Sequence, residues 1–251
     1  MLYKFLKDCY NEVETGVNMN LDYDVFIFDL YGTLIDIETD EHAPEVWKDW
    51  MQVLDRYGIS HPDAGEFHRA FFELDTNKRQ LALSEGRFRY PEIEILEVYD
   101  ELFSGYGNRR MSLERLRELA YAFRVCSRKH IRLYPAAEDF LKKLRSGGRR
   151  VYILSNAQSS YTVNEIRMFH LDELTDDYLI SSDYRCMKPD VKFFEALIEK
   201  HAIRRERAVM IGDSEQSDMR GAVESNLHHI HLTGYNHPDQ FYTQHISEII
   251  E

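Results

Sequence analysis

Val25-Phe26-Ile27-Phe28-Asp29-Leu30-Tyr31-Gly32-Thr33-Leu34 decides the fold. Its first four residues are apolar without alternation, which suits a strand buried on both faces of a parallel sheet. A carboxylate follows at once, and Gly32 lies three residues beyond it. Further along the chain, the runs Val151-Tyr152-Ile153-Leu154, Ala208-Val209-Met210-Ile211 and Ile230-His231-Leu232 have the same character. Tyr178-Leu179-Ile180-Ser181 reads as another strand. Helical stripes lie between them: Ala137, Phe140, Leu141 and Leu144, bracketed by Pro135 and Gly147; Phe193, Phe194, Leu197 and Ile198; and the shorter Met219, Ala222 and Val223. Alternating strands and helices predict an α/β three-layer sandwich with a parallel sheet and right-handed crossovers.

The stretch from 38 to 130 has helical periodicity, as in Val46, Trp50, Val53 and Leu54 and again in Leu113, Leu116, Leu119, Ala120 and Phe123. It contains no buried-strand run, and reads as a helical insert after the first strand. Its aromatics Trp47, Trp50, Phe67, Phe71 and Phe72 read as helix-packing core, with one or two free to line a pocket. Residues 1–20 place Leu2, Phe5, Leu6, Cys9 and Val13 at helical spacing, which predicts a short N-terminal helix. The expected division is this extension, a core from 21–37 and 131–251, and the helical insert at 38–130.

Composition narrows the function. The 251 residues carry 31 Lys and Arg against 44 Asp and Glu, a net charge of −13, with 43% hydrophobic residues. That is enough apolar material for a core, and the charge argues against a general nucleic-acid or anionic-membrane binder. A single phosphate in a locally positive pocket stays compatible with it. Cys9, Cys126 and Cys186 are odd in number and far apart, which suits reduced thiols rather than a disulfide framework or zinc site. The start of the chain has no apolar run of the signal-peptide kind, and no stretch approaches a membrane span. These features predict a cytoplasmic protein, monomeric or homodimeric, that acts on a small molecule.

In a doubly wound sheet, ligands bind at the carboxyl ends of the strands. Asp29 ends the first strand, Ser155-Asn156 another, and Gly212-Asp213-Ser214 a third, with Asp218 five residues past Asp213. Lys188-Pro189 lies in the loop after Tyr178–Ser181. An Asp after a strand is usually a turn residue or helix cap, but this set at one sheet edge is hard to attribute to turns. The chemistry is coherent: a carboxylate can act as nucleophile, and Lys188 with a divalent cation would cancel its repulsion from a phosphate. Mg²⁺ suits one or two carboxylates, here Asp29 and Asp213, with Asp218 direct or through water. Ser155 would donate to a phosphoryl oxygen.

Asp29-Leu30-Tyr31-Gly32-Thr33-Leu34, Ser155-Asn156, Lys188-Pro189-Asp190 and Gly212-Asp213-Ser214 with Asp218 together resemble the four ordered motifs of the haloacid dehalogenase-like hydrolases. The resemblance implies a Rossmann-like core, a helical cap after the first motif, Asp29 as nucleophile and usually Mg²⁺. It implies the Tyr31 main-chain carbonyl as a third metal ligand, and Ser155, Asn156 and Lys188 as the group that grips phosphate. One position departs from the pattern. Phosphatases of this superfamily carry a second Asp two residues after the nucleophile as general acid and base, and here Tyr31 stands there. That acid is typically worth ~10²–10⁴-fold, so substrates with good leaving groups are expected.

The Tyr-Gly-Thr-Leu string is instead similar to the 2-haloacid dehalogenases, whose halide needs no proton to leave. Those enzymes work without metal, whereas a second bare carboxylate at Asp213 would repel a haloacid. A metal-dependent phosphatase forming an aspartyl-phosphate is therefore the leading expectation. A metal-free dehalogenase and a catalytically weak metabolite-binding protein are the alternatives. Asp36, in the acidic run Asp36, Glu38, Asp40 and Glu41, is a candidate substitute acid if that run faces the cleft; otherwise the run is a solvated loop. His228, His229 and His231 suggest a structural or surface role more than ligation, because alternation along a strand splits them between faces.

Overall fold

The computed structural model describes residues 22–233 and 237–249. The expected N-terminal helix, together with Cys9, lies outside the described residues.

Five strands form one parallel sheet: β1 Val25–Phe28, β4 Arg150–Ser155, β5 Asp177–Ile180, β6 Ala208–Gly212 and β7 His228–His231, in the order β5-β4-β1-β6-β7. β1 is central. Phe28 pairs with Ile153 of β4 on one side and Ile211 of β6 on the other, so the carboxyl ends of the three strands lie together. From β1 the chain builds outward through β4 and β5, then crosses back to add β6 and β7. The crevice beside β1 is thus the switch point where such sheets bind ligands.

Side-chain alternation divides the apolar runs between two cores. Phe26, Phe28, Val151, Ile153, Val209 and Ile211 face one way, against Phe140, Leu141 and Leu144 of α5 (Ala137–Ser146). Val25, Ile27, Tyr152, Leu154 and Met210 face the other way, against Phe193, Phe194 and Leu197 of the helix Val191–His201. Every residue of β1 is buried, as the unbroken apolar run requires.

The expected helical insert consists of α1 Pro44–Arg56, α2 Ala64–Ser84, α3 Ile95–Gly105 and α4 Leu113–Ser127. These helices enclose a third core in which Trp47, Trp50, Phe67, Tyr99, Phe103 and Phe123 are buried. The Trp50 and Phe67 rings stack with centroids 5.4 Å apart. Tyr161 of α6 (Ser159–Met168) joins this core from the sheet domain, its hydroxyl 2.7 Å from that of Tyr99.

Two strands differ from expectation. β2 Ile35–Thr39 and β3 Arg128–Leu133 pair as an antiparallel ribbon through which the chain enters and leaves the helices. The acidic run is therefore partly strand rather than solvated loop: Asp36 stands opposite Arg132 and Glu38 opposite His130. Only Ile35, Ile37, Ile131 and Leu133 carry the apolar side, so the ribbon has a period-2 pattern with a wet face, not a buried run. The Met219–Val223 stripe also divides, into a π-helical turn Glu215–Met219 and the short helix Arg220–Glu224, and Val223 is exposed. Among the described residues, no helix is long and apolar enough to cross a membrane.

Candidate active site

Asp29 continues β1, its N–H donating to the Ile211 carbonyl at 2.9 Å, so the central strand delivers the carboxylate to the crevice. Lys188 Nζ lies 2.6 Å from Asp29 Oδ1 and 2.7 Å from Asp218 Oδ1, with all three side chains buried or nearly so. Asp213, at the end of β6, completes the cluster. Carboxylate oxygens of Asp29, Asp213 and Asp218 all lie within 4.8 Å of one another, the one such ligand set among the described residues.

The neighbouring glycines make this convergence possible. A Cβ on Gly32, whose φ is +80°, would come within 2.4 Å of Asp213 Oδ2. A Cβ on Gly212 would come within 2.3 Å of Asp218 Oδ2. Any side chain at either place would push a carboxylate out of the cluster.

The acids are not equivalent. Asp218 is the most fully bonded: Oδ1 accepts from Lys188 and from Ser217 Oγ, and Oδ2 accepts the Ser214 N–H. Asp213 accepts from Thr33 Oγ1 at 3.3 Å and is more open. Asp29 and Asp213 thus retain more free lone pairs than Asp218, which orients Lys188. Burial pushes the Asp29 carboxyl up to about 7, against the opposing pull of Lys188. Burial, then Asp218, raises Asp213 as well. Burial also works against the Lys188 ammonium, but Asp218 and Asp29 outweigh it and hold its pKa above the ordinary value.

Ser155, at the end of β4, is 1% exposed and its Oγ has no hydrogen-bond partner. A buried hydroxyl left unmatched beside this cluster suits an acceptor brought by a ligand. Asn156 pairs its side chain with the lysine loop. Its Nδ2 donates to the Lys188 carbonyl at 2.9 Å and its Oδ1 accepts the Lys188 N–H at 2.7 Å. The side-chain amide fixes the lysine loop with one donor and its oxygen, and its second N–H stays available to a ligand.

Tyr31 lies beside the cluster, but its hydroxyl is committed. It donates to Glu165 Oε2 and stands 3.0 Å from Thr162 Oγ1. Burial first, and then the Glu165 charge, raises the phenol well above its ordinary range. Glu165 is fully buried and also accepts from Arg124 Nε at 2.9 Å and Nη2 at 3.3 Å, with Arg128 Nη1 at 3.6 Å. The Arg124 guanidinium lies 5.4 Å from the Tyr31 ring centroid. A phenol held in this way is a poor acid.

Asp36 does not replace it. Hydrogen bonds from His130 and Arg132 hold its carboxyl below the ordinary range, so it stays ionised. His231 places Nε2 2.9 Å from the Asp213 carbonyl, a support for that loop rather than a metal cluster.

Sequence reasoning missed Arg124 and Glu165, although a signal was present. Arg124 falls four residues after Ala120 on the apolar stripe of α4, and Glu165 sits beside Ile166 on the buried stripe of α6. A charge on an apolar face implies a buried partner. A cavity of about 320 Å³ opens from Tyr31 and Asn156 toward the helices, with Arg79, Arg124, Gln158 and Tyr161 among its walls.

Fold and site place this chain among the Rossmann-like α/β proteins that work at the switch point of a doubly wound sheet. Residues 23–226 match the family described as haloacid dehalogenase-like hydrolase, and the chain belongs to that family of hydrolases. Phosphoserine phosphatase from Thermus thermophilus is 35% identical over 109 residues, 43% of each chain, so this chain spans less than half of that relative. (S)-2-Haloacid dehalogenase 4A from Burkholderia cepacia is 24% identical over 216 residues, 86% of this chain and 85% of that one. The 2-haloacid dehalogenase structure from Pseudomonas syringae pv. Tomato DC3000 superposes with a TM-score of 0.55 at 18% identity, covering 83% of this chain and 86% of that one. That structural likeness bears on the fold alone.

Proposed function

We propose that the protein is a Mg²⁺-dependent phosphatase of a small phosphorylated metabolite, with Asp29 as nucleophile. The observation that carries this is the charge of the site. Three clustered carboxylates face one ammonium, Lys188, which leaves two negative charges when all are ionised. A divalent cation balances that surplus, and hard oxygen ligands suit Mg²⁺. Asp29, Asp213 and the Tyr31 carbonyl would hold it, with Asp218 behind them; the ion supplies charge neutralisation for an anionic nucleophile meeting an anionic substrate.

The chain's own groups do the rest. The Asp29 carboxylate attacks phosphorus, the bond to the leaving oxygen breaks with its electron pair, and an aspartyl-phosphate forms on Asp29. Water then attacks that phosphorus, releasing inorganic phosphate and the free carboxylate. Lys188 and Ser155 donate to the transferring group. Tyr31, sealed against Glu165, and Asp36, held ionised, are not poised to protonate an alkoxide. Aryl and acyl phosphates, whose leaving groups need no proton, are therefore the preferred substrates. The helical segment acts as a cap that excludes water during attack.

The test is a panel of aryl, acyl and alkyl phosphates and 2-chloropropionate, assayed for phosphate and chloride with Mg²⁺ or EDTA. Phosphate release from the activated esters that EDTA abolishes is the expected result. Chloride release insensitive to EDTA overturns it in favour of the metal-free dehalogenase, which the sealed Tyr31 also accommodates. Phosphate binding without turnover, unchanged in Asp29→Asn, overturns it in favour of a binding protein.

A further inference from the structure

The cavity beside Tyr31 has an unusual distribution of charge. Four carboxylates line or back it, Glu41, Asp75, Glu92 and Glu165, against three guanidiniums, Arg79, Arg124 and Arg128. Arg79 is divided between Asp75 at 2.9 Å and Glu92 at 3.0 Å. Glu92 also accepts from the Ile93 N–H and Ser181 Oγ. Arg124 is turned onto the buried Glu165, with Arg128 behind it. Glu41 is left over. Its nearest cationic atom among the described residues is Arg124 Nη1 at 4.0 Å, beyond hydrogen-bond reach.

Glu41 is also well placed. Trp47 Nε1 donates to its main-chain carbonyl at 2.8 Å, which fixes the backbone where the ribbon enters α1. Its side chain remains about one-third exposed, toward a space walled by Phe71, Phe72 and Tyr161. A carboxylate whose one ion-pair partner stands at 4.0 Å, among aromatic rings, can receive an organic ammonium through a charge-assisted hydrogen bond and ring faces. The two guanidiniums in the walls are both turned onto carboxylates, Arg79 onto Asp75 and Glu92 and Arg124 onto Glu165.

We propose that this cavity is the substrate's second subsite, and that it selects phosphate esters whose far end carries a protonated amine, bound by Glu41 between the aromatic walls. The inference rests on the reading of Asp29 as phosphoryl acceptor, since the cavity is then the room for the remainder of the same molecule.

Three shape-matched aryl esters test it: 4-(aminomethyl)phenyl, 4-ethylphenyl and 4-(carboxymethyl)phenyl phosphate, compared by kcat/KM with Mg²⁺ in wild type and Glu41→Gln. Wild type is expected to favour the ammonium ester over the ethyl ester by on the order of tenfold. The carboxylate ester should be the poorest, and in Glu41→Gln the ammonium-to-ethyl ratio should fall to near one. Equal wild-type rates, preference for the carboxylate ester, or an ammonium preference that survives Glu41→Gln each overturn the subsite. If none of the esters releases phosphate, the phosphatase reading fails by itself. The subsite is then read by calorimetry with benzylammonium chloride, which should bind wild type more tightly than Glu41→Gln. Equal or absent binding overturns it. Circular dichroism of the variant separates a lost contact from a lost fold.

Discussion

Replacing Tyr31 with Phe removes one hydroxyl and leaves the ring. That hydroxyl donates to Glu165, a carboxylate with no solvent exposure, whose other donors are the two Arg124 nitrogens at 2.9 and 3.3 Å. A hydrogen bond to a charged group contributes about 1.5–3 kcal/mol. The Glu165 charge remains matched by Arg124, so the larger loss of a stranded buried charge does not apply. For a domain of this size each kcal/mol moves Tm by roughly 2–4 °C, so Tyr31→Phe should melt about 3–12 °C lower. Glu165→Gln should cost more, about 3–5 kcal/mol, because it leaves Arg124 buried without its hydrogen-bonded counter-charge. The two losses share one contact, and the double variant should fall short of their sum by at least ~1.5 kcal/mol. Thermal unfolding followed by circular dichroism in EDTA measures all four proteins.

The kinetic arm uses an alkyl ester, ethyl phosphate, whose alkoxide gains from a proton as it leaves. A phenol sealed against Glu165 is no proton donor, so Tyr31→Phe should lose far less than the ~10²–10⁴-fold expected on removing a general acid. A Tm within about 1 °C of wild type, or strictly additive losses, refutes the argued energetics. A kcat loss of general-acid size refutes the assigned inactivity of the hydroxyl.

Other expectations follow from the same geometry. Asp29→Asn should reduce phosphate release by on the order of 10⁴-fold or more, measured in single turnovers, and a mild loss would remove Asp29 from the nucleophile's place. Lys188→Met strands three neighbouring carboxylates; it should destabilise by about 3–5 kcal/mol in EDTA and recover part of that on adding Mg²⁺, read by Tm. Gly32→Ala places a Cβ 2.4 Å from Asp213 Oδ2, so the Mg²⁺ concentration for half-maximal activity should rise, and an unchanged value would place the ion elsewhere. The Asp29 carboxyl is pushed up to about 7, above its ordinary value, so the native protein binds more protons than the unfolded chain between about pH 4 and 7. Its contribution to stability is therefore present below about pH 4 and lost as pH rises to 7. Asp29→Asn should flatten that slope in metal-free melts, while the Mg²⁺-induced gain in wild-type Tm should grow over the same window.

The sheet was legible because its strands are fully buried: Val25–Phe28, Val151–Leu154 and Ala208–Ile211 must be apolar on both faces, and unbroken runs result. The chemistry at their ends was legible for the related reason that Asp29, Ser155 and Asp213 each directly end a strand or follow it. Helix spacing likewise marked Trp47, Trp50, Phe67 and Phe71 as core. The ribbon Ile35–Thr39 with Arg128–Leu133 was missed because one face is wet and its partner strands lie about ninety residues apart. Tertiary structure alone decided how the polar groups are paired. It turned the Asn156 amide onto the Lys188 main chain, and both the Tyr31 hydroxyl and the Arg124 guanidinium onto Glu165. Strand and helix are written in short-range patterns that any window of sequence exposes. Which buried charge satisfies which depends on side chains brought together from 41 to 159 positions apart, and only the folded chain makes that choice.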